Sequence, residues 1–353
     1  MAEEGLIFEE LQTLSDQVNN TQGVPDVLRD RVLQMVSRLE IMAKLGHYAT
    51  EFDTLSRYIE IVTSVPWGKK TEDVLDLQKA KEALDKTHHG MEYVKDRVLE
   101  YLATLILLKQ RGKEAIARSP VLLLVGLQGV GKTTLAGSIA DALGRKFLRI
   151  AMGGIGSTIE LRGKSKALEG AEPGQLVKAL IRTGVMNPVI LLDEIEKASG
   201  EAGLRSDIMA ILLEILDPAQ NSEFRDHYID YPIDLSDVLF VCSANNTGTI
   251  STALMDRMEV VRMPSYTDAE KLVIARDYLF PKILEKSGLT ADELKIDPNL
   301  WPGIVRPFGF DSGIRSLGRT LEAISRKAAK EIVEGKVQNI YLTVDNLKYY
   351  LPK

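Results

Sequence analysis

Gly126-Leu127-Gln128-Gly129-Val130-Gly131-Lys132-Thr133 is the stretch on which the reading of this chain turns. It matches G-x-x-x-x-G-K-[ST], follows the strand-length apolar run Val121–Val125, and opens a segment with Leu135, Ile139 and Leu143 at helical spacing. Glycines let a backbone wrap closely around phosphate groups with its N–H groups turned inward, and a helix N-terminus adds partial positive charge. Lys132 is expected on the β- and γ-phosphates of a nucleoside triphosphate, Thr133 on Mg²⁺, and Thr134 beside them. The same glycines do not form G-x-G-x-x-G, so a dinucleotide fold is not indicated.

Working outward, Val189-Ile190-Leu191-Leu192-Asp193-Glu194 reads as a buried strand that ends in two carboxylates. Acids at the carboxyl edge of a parallel sheet lie where such sheets bind ligands. Asp193 is expected to serve the Mg²⁺ ion, and Glu194 to orient and deprotonate an attacking water. Alone, a strand followed by Asp-Glu is more often a solvated strand end; the upstream phosphate loop reverses that preference. The run Val238–Ser243 leads into Asn245, whose amide could polarise the same water. Arg257, in Leu254-Met255-Asp256-Arg257-Met258-Glu259, could project as an arginine finger and would then act from a neighbouring subunit.

With Phe147–Met152 and Val260–Met263, these runs give five strands separated by helical stretches, the pattern of right-handed βαβ crossovers. The fold class is therefore α/β of the P-loop NTPase type, a mainly parallel sheet flanked by helices. Leu28, Val32, Met35, Leu39 and Met42 place one apolar face on a helix starting near Pro25, in an N-terminal helical segment spanning 1–64. The nucleotide-binding unit is expected over 65–266. Ile314, Leu317, Leu321, Ile324 and Ala328 mark a helical, all-α unit over 267–353, entered through the N-cap stretch Tyr266-Thr267-Asp268.

Composition sets outer limits. The 353 residues carry 44 Lys+Arg against 50 Asp+Glu, so a formal charge of −6 gives no global bias toward nucleic acid or anionic lipid. Cys242 is the single cysteine, which excludes an internal disulfide and suits a reducing intracellular compartment. No apolar run approaches the roughly 18 residues of a membrane span. The opening MAEEGLIFEE has no basic residue and does not read as a secretory or mitochondrial leader. Cytoplasm, mitochondrial matrix and peroxisome all remain compatible compartments.

Several further stretches are more specific than the phosphate loop: Val65-Pro66-Trp67-Gly68, Ala83-Leu84-Asp85, His89-Gly90, Glu160-Leu161-Arg162-Gly163, Pro173-Gly174, Leu213–Asn221 and Asp226-His227-Tyr228. Through these the chain, from about Pro25 onward, resembles the ATPase module of the Lon family of ATP-dependent proteases in the AAA+ superfamily. The resemblance implies an AAA+ fold with a helical lid, ATP/ADP and Mg²⁺ as ligands, and a homo-oligomeric ring of six that works on unfolded polypeptide. It places Asn245 at the sensor-1 position, Arg257 at the arginine finger and Arg315 at the sensor-2 position, reaching the γ-phosphate from the lid. His89, Gly90 and Val94 fall where the family flanks adenine, with His89 in place of the usual tyrosine. Two histidines, His88 and His89, read by themselves as solvent-exposed, and no second pair of metal ligands accompanies them.

Two departures qualify the resemblance. No G-x-S-x-G and no H-E-x-x-H is found, and the Ser-Lys peptidase region of the family does not follow, so this polypeptide is not expected to cleave peptide bonds. Between Gly163 and Pro173, Leu168-Glu169 stands where the family places an aromatic–aliphatic pair to grip a threaded chain. Two other function classes are open at this point. One is a nucleotide-binding scaffold or regulatory subunit of a Lon-like ring. The other is a DNA-stimulated ATPase using Arg145, Lys146 and Arg149 or Arg162, Lys164 and Lys166.

Overall fold

The computed structural model describes residues 2–44, 49–112, 120–198, 202–306 and 314–352; Pro307, Ser312 and Gly313 lie outside the described residues. Nine strands occur among them: β1 (Val121–Val125), β2 (Phe147–Ala151), β3 (Val189–Asp193), β4 (Phe224–Asp226), β5 (Tyr231–Ile233), β6 (Leu239–Ala244), β7 (Met258–Arg262), β8 (Leu294–Ile296) and β9 (Ile340–Leu342). Five of them form a wholly parallel sheet in the order β2-β3-β6-β1-β7. The five expected strands are those five, Val121–Val125 unchanged and the others with ends displaced by at most two residues.

Period-two alternation divides the central strands between two cores. Leu123, Val125, Ile190, Leu192, Phe240 and Cys242 join one buried cluster, whereas Leu122, Leu124, Val189, Leu191, Leu239 and Val241 join another. Both faces are covered, so these strands read as unbroken apolar runs. The first cluster extends through the N-terminal helices, 2–20, 26–44 and 49–64, from Leu11 to Trp67. Along 26–44 the buried residues are Leu28, Val32, Val36, Leu39 and Ala43. Met35 is half-buried and Met42 exposed, because a regular helix turns away from a stripe laid out at 3.5 residues per turn.

The antiparallel pair β4–β5 has no counterpart in the sequence reading; strands of three residues, one containing Pro232, are too short to show a period. It joins the N-terminal helices to the sheet. Tyr58 donates its hydroxyl to the Ile229 carbonyl at 2.8 Å, and Trp67 packs edge-on against Tyr231 at 6.3 Å between ring centroids.

The C-terminal helices enclose a third core of Leu317, Leu321, Ile324, Ala328, Trp301 and Ile304. The expected cap at Thr267 is present as a reciprocal capping box with Glu270. This unit is not purely helical: β8 and β9 pair in parallel, burying Leu294, Ile296, Ile340 and Leu342. Between helices 268–273 and 280–286 lies a π-helical stretch, Ile274–Leu279, that carries Leu279 toward the sheet's carboxyl edge. No helix among the described residues is long and apolar enough to cross a membrane.

One buried ion pair fastens the sheet to the segment before it. Arg145, 1% exposed at its side chain, holds Asp73, 5% exposed, through Nε at 2.6 Å and Nη2 at 2.8 Å, and donates Nη1 to the Asp237 carbonyl at 2.7 Å. Burial pushes the Asp73 carboxyl up, but the hydrogen bonds from Arg145 and Lys109 outweigh it and hold it below the usual range. Arg145→Ala is expected to destabilise the chain by about 3 kcal/mol, since it leaves a buried carboxylate with Lys109 as its remaining charged partner. Asp73 is depressed in the folded state, so its contribution is complete above the unfolded value, about 4, and is lost as pH falls through the folded one. Urea denaturation of parent and variant should therefore show a gap that is full at pH 7 and narrows below about pH 4.

Candidate functional site

β1 is followed directly by the glycine loop, and positive φ values of 84° at Gly129 and 100° at Gly131 let it curl back over the strand end. Three contacts fix the curl. Val130 is fully buried, Tyr266 donates its hydroxyl to the Val130 carbonyl at 3.0 Å, and the Ile314 N–H donates to the Gly129 carbonyl at 3.2 Å. A side chain at Gly126 would meet the Met263 carbonyl at 2.7 Å, so glycine is needed where β1 leaves the sheet. The helix Lys132–Leu143 then starts with its free N–H groups facing the loop.

Register aligns the other groups at the same edge. Val125 pairs with Ala244, and Leu192 with Cys242, so Gly126, Asn245, Asp193 and Glu194 emerge side by side. The Lys132 ammonium donates to the Gly126 carbonyl, to the Leu127 carbonyl at 3.1 Å and to Asn245 Oδ1 at 2.9 Å. Burial lowers the pKa of Lys132, and the field of Asp193, Glu196 and Glu194 opposes that shift. Asn245 Nδ2 donates to Glu194 Oε1 at 3.3 Å and Glu196 Oε1 at 2.7 Å. Burial would raise the Glu194 carboxyl, but Lys197, at 2.9 Å, and Asn245 hold it below its ordinary value, so it is ionised at neutral pH. Asp193, 4% exposed, accepts from the Ser243 hydroxyl and pairs with Arg149 Nε at 2.6 Å.

These residues line a cleft of about 440 Å³, with Gln128, Gly129, Gly131, Lys132, Thr133, Thr134, Asp193, Glu194 and Asn245 on the sheet side. Leu279, Ile314, Arg315, Gly318, Arg319 and Glu322 close it from the C-terminal helices. Arg315 is the first residue of the helix Arg315–Val333, and its charge is felt at Lys132. The hydroxyl of Thr133 and the carboxylate of Asp193 are hard oxygen donors, the kind Mg²⁺ takes in small number beside phosphate oxygens and water. No cluster of three or more His, Cys, Asp or Glu suited to a metal occurs among the described residues.

Four expected site residues lie elsewhere. Val94, 1% exposed, is sealed in the apolar cluster beneath the sheet. His89 sits against the Tyr278 ring at 6.0 Å, and Gly90 packs so near Glu270 that a Cβ would come within 2.6 Å of its carboxylate. None of these three is in the cleft wall. The expectation of an exposed His88 is corrected: it is 3% exposed, lies behind the glycine loop with Nε2 3.3 Å from the Gly131 carbonyl, and burial lowers its pKa. Arg257 precedes β7, whose first residue pairs with Val121, so the length of β1, roughly 16 Å, separates it from the loop. There it pairs with Asp217 at 2.7 Å and donates to the Ala253 carbonyl at 3.3 Å.

Residues 122–266 match the model of the ATPase family associated with various cellular activities (AAA), and 285–340 match that of the Lon protease AAA+ ATPase lid domain. The chain belongs to the Lon family. It is 42% identical to Lon protease 1 of Bacillus subtilis over 98% of its own length and 43% of the relative's. Lon protease of Halothermothrix orenii is 43% identical over 93% of this chain and 40% of the relative, and Lon protease 2 of Thermus thermophilus is 40% identical over 93% and 41%. This Lon-family ATPase module thus spans about two fifths of the length of the curated relatives it matches. Its AAA domain marks it as a nucleotide-binding ATPase.

The loop 163–174 of the Lon-family module is built as a closed bow. The Gly174 N–H donates to Asp226 Oδ2 at 2.7 Å, and the Lys164 N–H to the Glu172 carbonyl at 2.9 Å. At its tip Leu168 is 56% exposed. Lys166 turns back to the N-terminal helices, its ammonium 4.0 Å from the centre of the Tyr58 ring. Four more of the six basic residues that suggested nucleic acid have partners inside the chain: Arg145 with Asp73, Arg149 with Asp193, Arg162 with Glu214, and Lys164 with the Glu169 carbonyl.

Proposed function

We propose that this module binds ATP in the cleft and hydrolyses it, and that a ring of such modules uses the energy to move or remodel polypeptide. The observation that carries this reading is the meeting of Lys132, Asn245 and Glu194 at one sheet edge, opposite Arg315. The N–H groups of the glycine loop and Lys132 bind the phosphates and position the terminal one. Glu194, ionised and steadied by Lys197 and Asn245, takes the proton of the attacking water. Asn245 orients that water, and Arg315 adds positive charge where the transition state gathers negative charge. Mg²⁺, held by Thr133 and Asp193, would supply charge neutralisation at the phosphate oxygens. Arg257 completes the site of a neighbouring copy, which makes a closed ring, six-membered in the family resemblance, the active form.

In the same reading the bow 163–174 faces the transported chain with Leu168, Glu169 and Glu172. Leucine offers less planar contact than an aromatic, and carboxylates repel acidic segments. The grip is therefore weak. Phosphate release measured with and without a reduced, denatured protein should show modest stimulation, and Leu168→Tyr should raise it severalfold. Strong stimulation coupled to unfolding by the parent would contradict the weak grip; no phosphate release at any protein concentration would overturn the ATPase reading.

A further inference from the structure

Glu196 takes no part in the scheme above, yet it is a carboxylate only 8% exposed. It stands in the 3-10 turn Ile195–Lys197, entered through Glu194 at a left-handed φ of 59°. One of its oxygens, Oε1, accepts twice from the same residue: the Asn245 backbone N–H at 3.0 Å and the Asn245 side-chain Nδ2 at 2.7 Å. The turn itself is tied to the far side of the β6 exit, where Thr249 donates its hydroxyl to the Glu196 carbonyl at 3.2 Å.

This double contact settles which way the Asn245 amide faces. A carboxylate accepts only, so the NH₂ end must turn to Glu196, and the carbonyl end is left to Lys132 Nζ at 2.9 Å. In the flipped amide, oxygen would face the carboxylates and NH₂ would face the ammonium, both repulsive. The Asn245–Glu194 contact, 3.3 Å and shared with the shorter bond to Glu196, is too weak to enforce that choice alone. The amide is thus held from both ends, by Lys132 at its oxygen and at its nitrogen by Glu196, which does not line the cleft.

We propose that Glu196 is a positioning residue for hydrolysis, acting through Asn245. The proposal rests on the reading of Asn245 and Glu194 given above. It requires an acceptor at Oε1 and not a charge there, because both donors converge on one oxygen.

The test is steady-state ATP turnover of the full chain with Glu196→Met, Glu196→Gln, Asn245→Ala and the double variant Glu196→Met/Asn245→Ala. Glu196→Met fills the same space without an acceptor and should lower kcat at least tenfold with KM within threefold. Glu196→Gln keeps an acceptor oxygen and should stay within threefold of the parent. The double variant should be no slower than Asn245→Ala within twofold, because the two groups act in series. Turnover of Glu196→Met within threefold of the parent overturns the proposal. So does a Glu196→Gln as slow as Glu196→Met, or a double variant slowed by the product of the single effects, including slowing through misfolding. A parent chain that releases no phosphate would instead overturn the underlying ATPase reading.

Discussion

Glu194→Gln is expected to lower ATP turnover by at least about a hundredfold while leaving nucleotide affinity within a few-fold, since a positioned general base contributes 10² or more. The geometry separates the two effects. Affinity is assigned to the glycine loop, Lys132 and Thr133, none of which bonds Glu194. Glu194 instead bonds Asn245 and Lys197. Glutamine keeps the length and one acceptor oxygen, where the carboxylate offers Oε1 to Asn245 and Oε2 to Lys197, but it loses the ionised carboxylate that these partners maintain at neutral pH. Turnover by phosphate release, beside fluorescent-nucleotide titration, checks both halves. A variant that hydrolyses at a tenth of the parent rate or faster would remove Glu194 from the base role.

Arg257→Ala should cost about 10³-fold or more in turnover, the lower range for an arginine finger, again with affinity nearly unchanged. Within its own chain Arg257 lies at the amino end of β7, a strand length from the glycine loop, so in the proposed ring its effect falls on another copy. The salt bridge to Asp217 keeps the guanidinium near the surface. Hydrogen bonding from the Ala219 N–H, with Arg257 and Gln220, holds the Asp217 carboxyl below its usual range, so the partner stays charged in mild acid. Mixing gives the decisive result: Glu194→Gln and Arg257→Ala chains, each inactive alone, should regain turnover together. In mixed rings the former supplies an arginine to a site whose glutamate is intact in the latter. Absence of recovery under conditions where the chains assemble would show that Arg257 does not act across a subunit boundary.

Much of this was legible in the residues because the chemistry is local. Gly126 through Thr133 sits within one turn of chain, and Val189–Glu194 shows its strand and acids together. Glu196 was visible as a third acid two positions past Glu194. Its meaning depends on Asn245, 49 residues on, which only the pairing of β3 with β6 brings alongside. Ser243 and Arg149, both on Asp193, were hidden in the same way inside ordinary strand sequence. Short pairs such as β4–β5 and β8–β9 offer three residues each, too few for any period to emerge. His88 looked exposed because a polar pair after a helix end usually is; packing behind the glycine loop decided otherwise.

The hairpin β4–β5 has a mechanical consequence. Asp226 clasps the root of the 163–174 bow through the Gly174 N–H, while Ile229 and Asp230 receive Tyr58 and Arg31 from the N-terminal helices. In the proposed threading, tension at Leu168 would therefore not be absorbed by a few pliable bonds. It would be shunted through a strut into three helices braced against the sheet, as load on a bracket passes into the wall behind it.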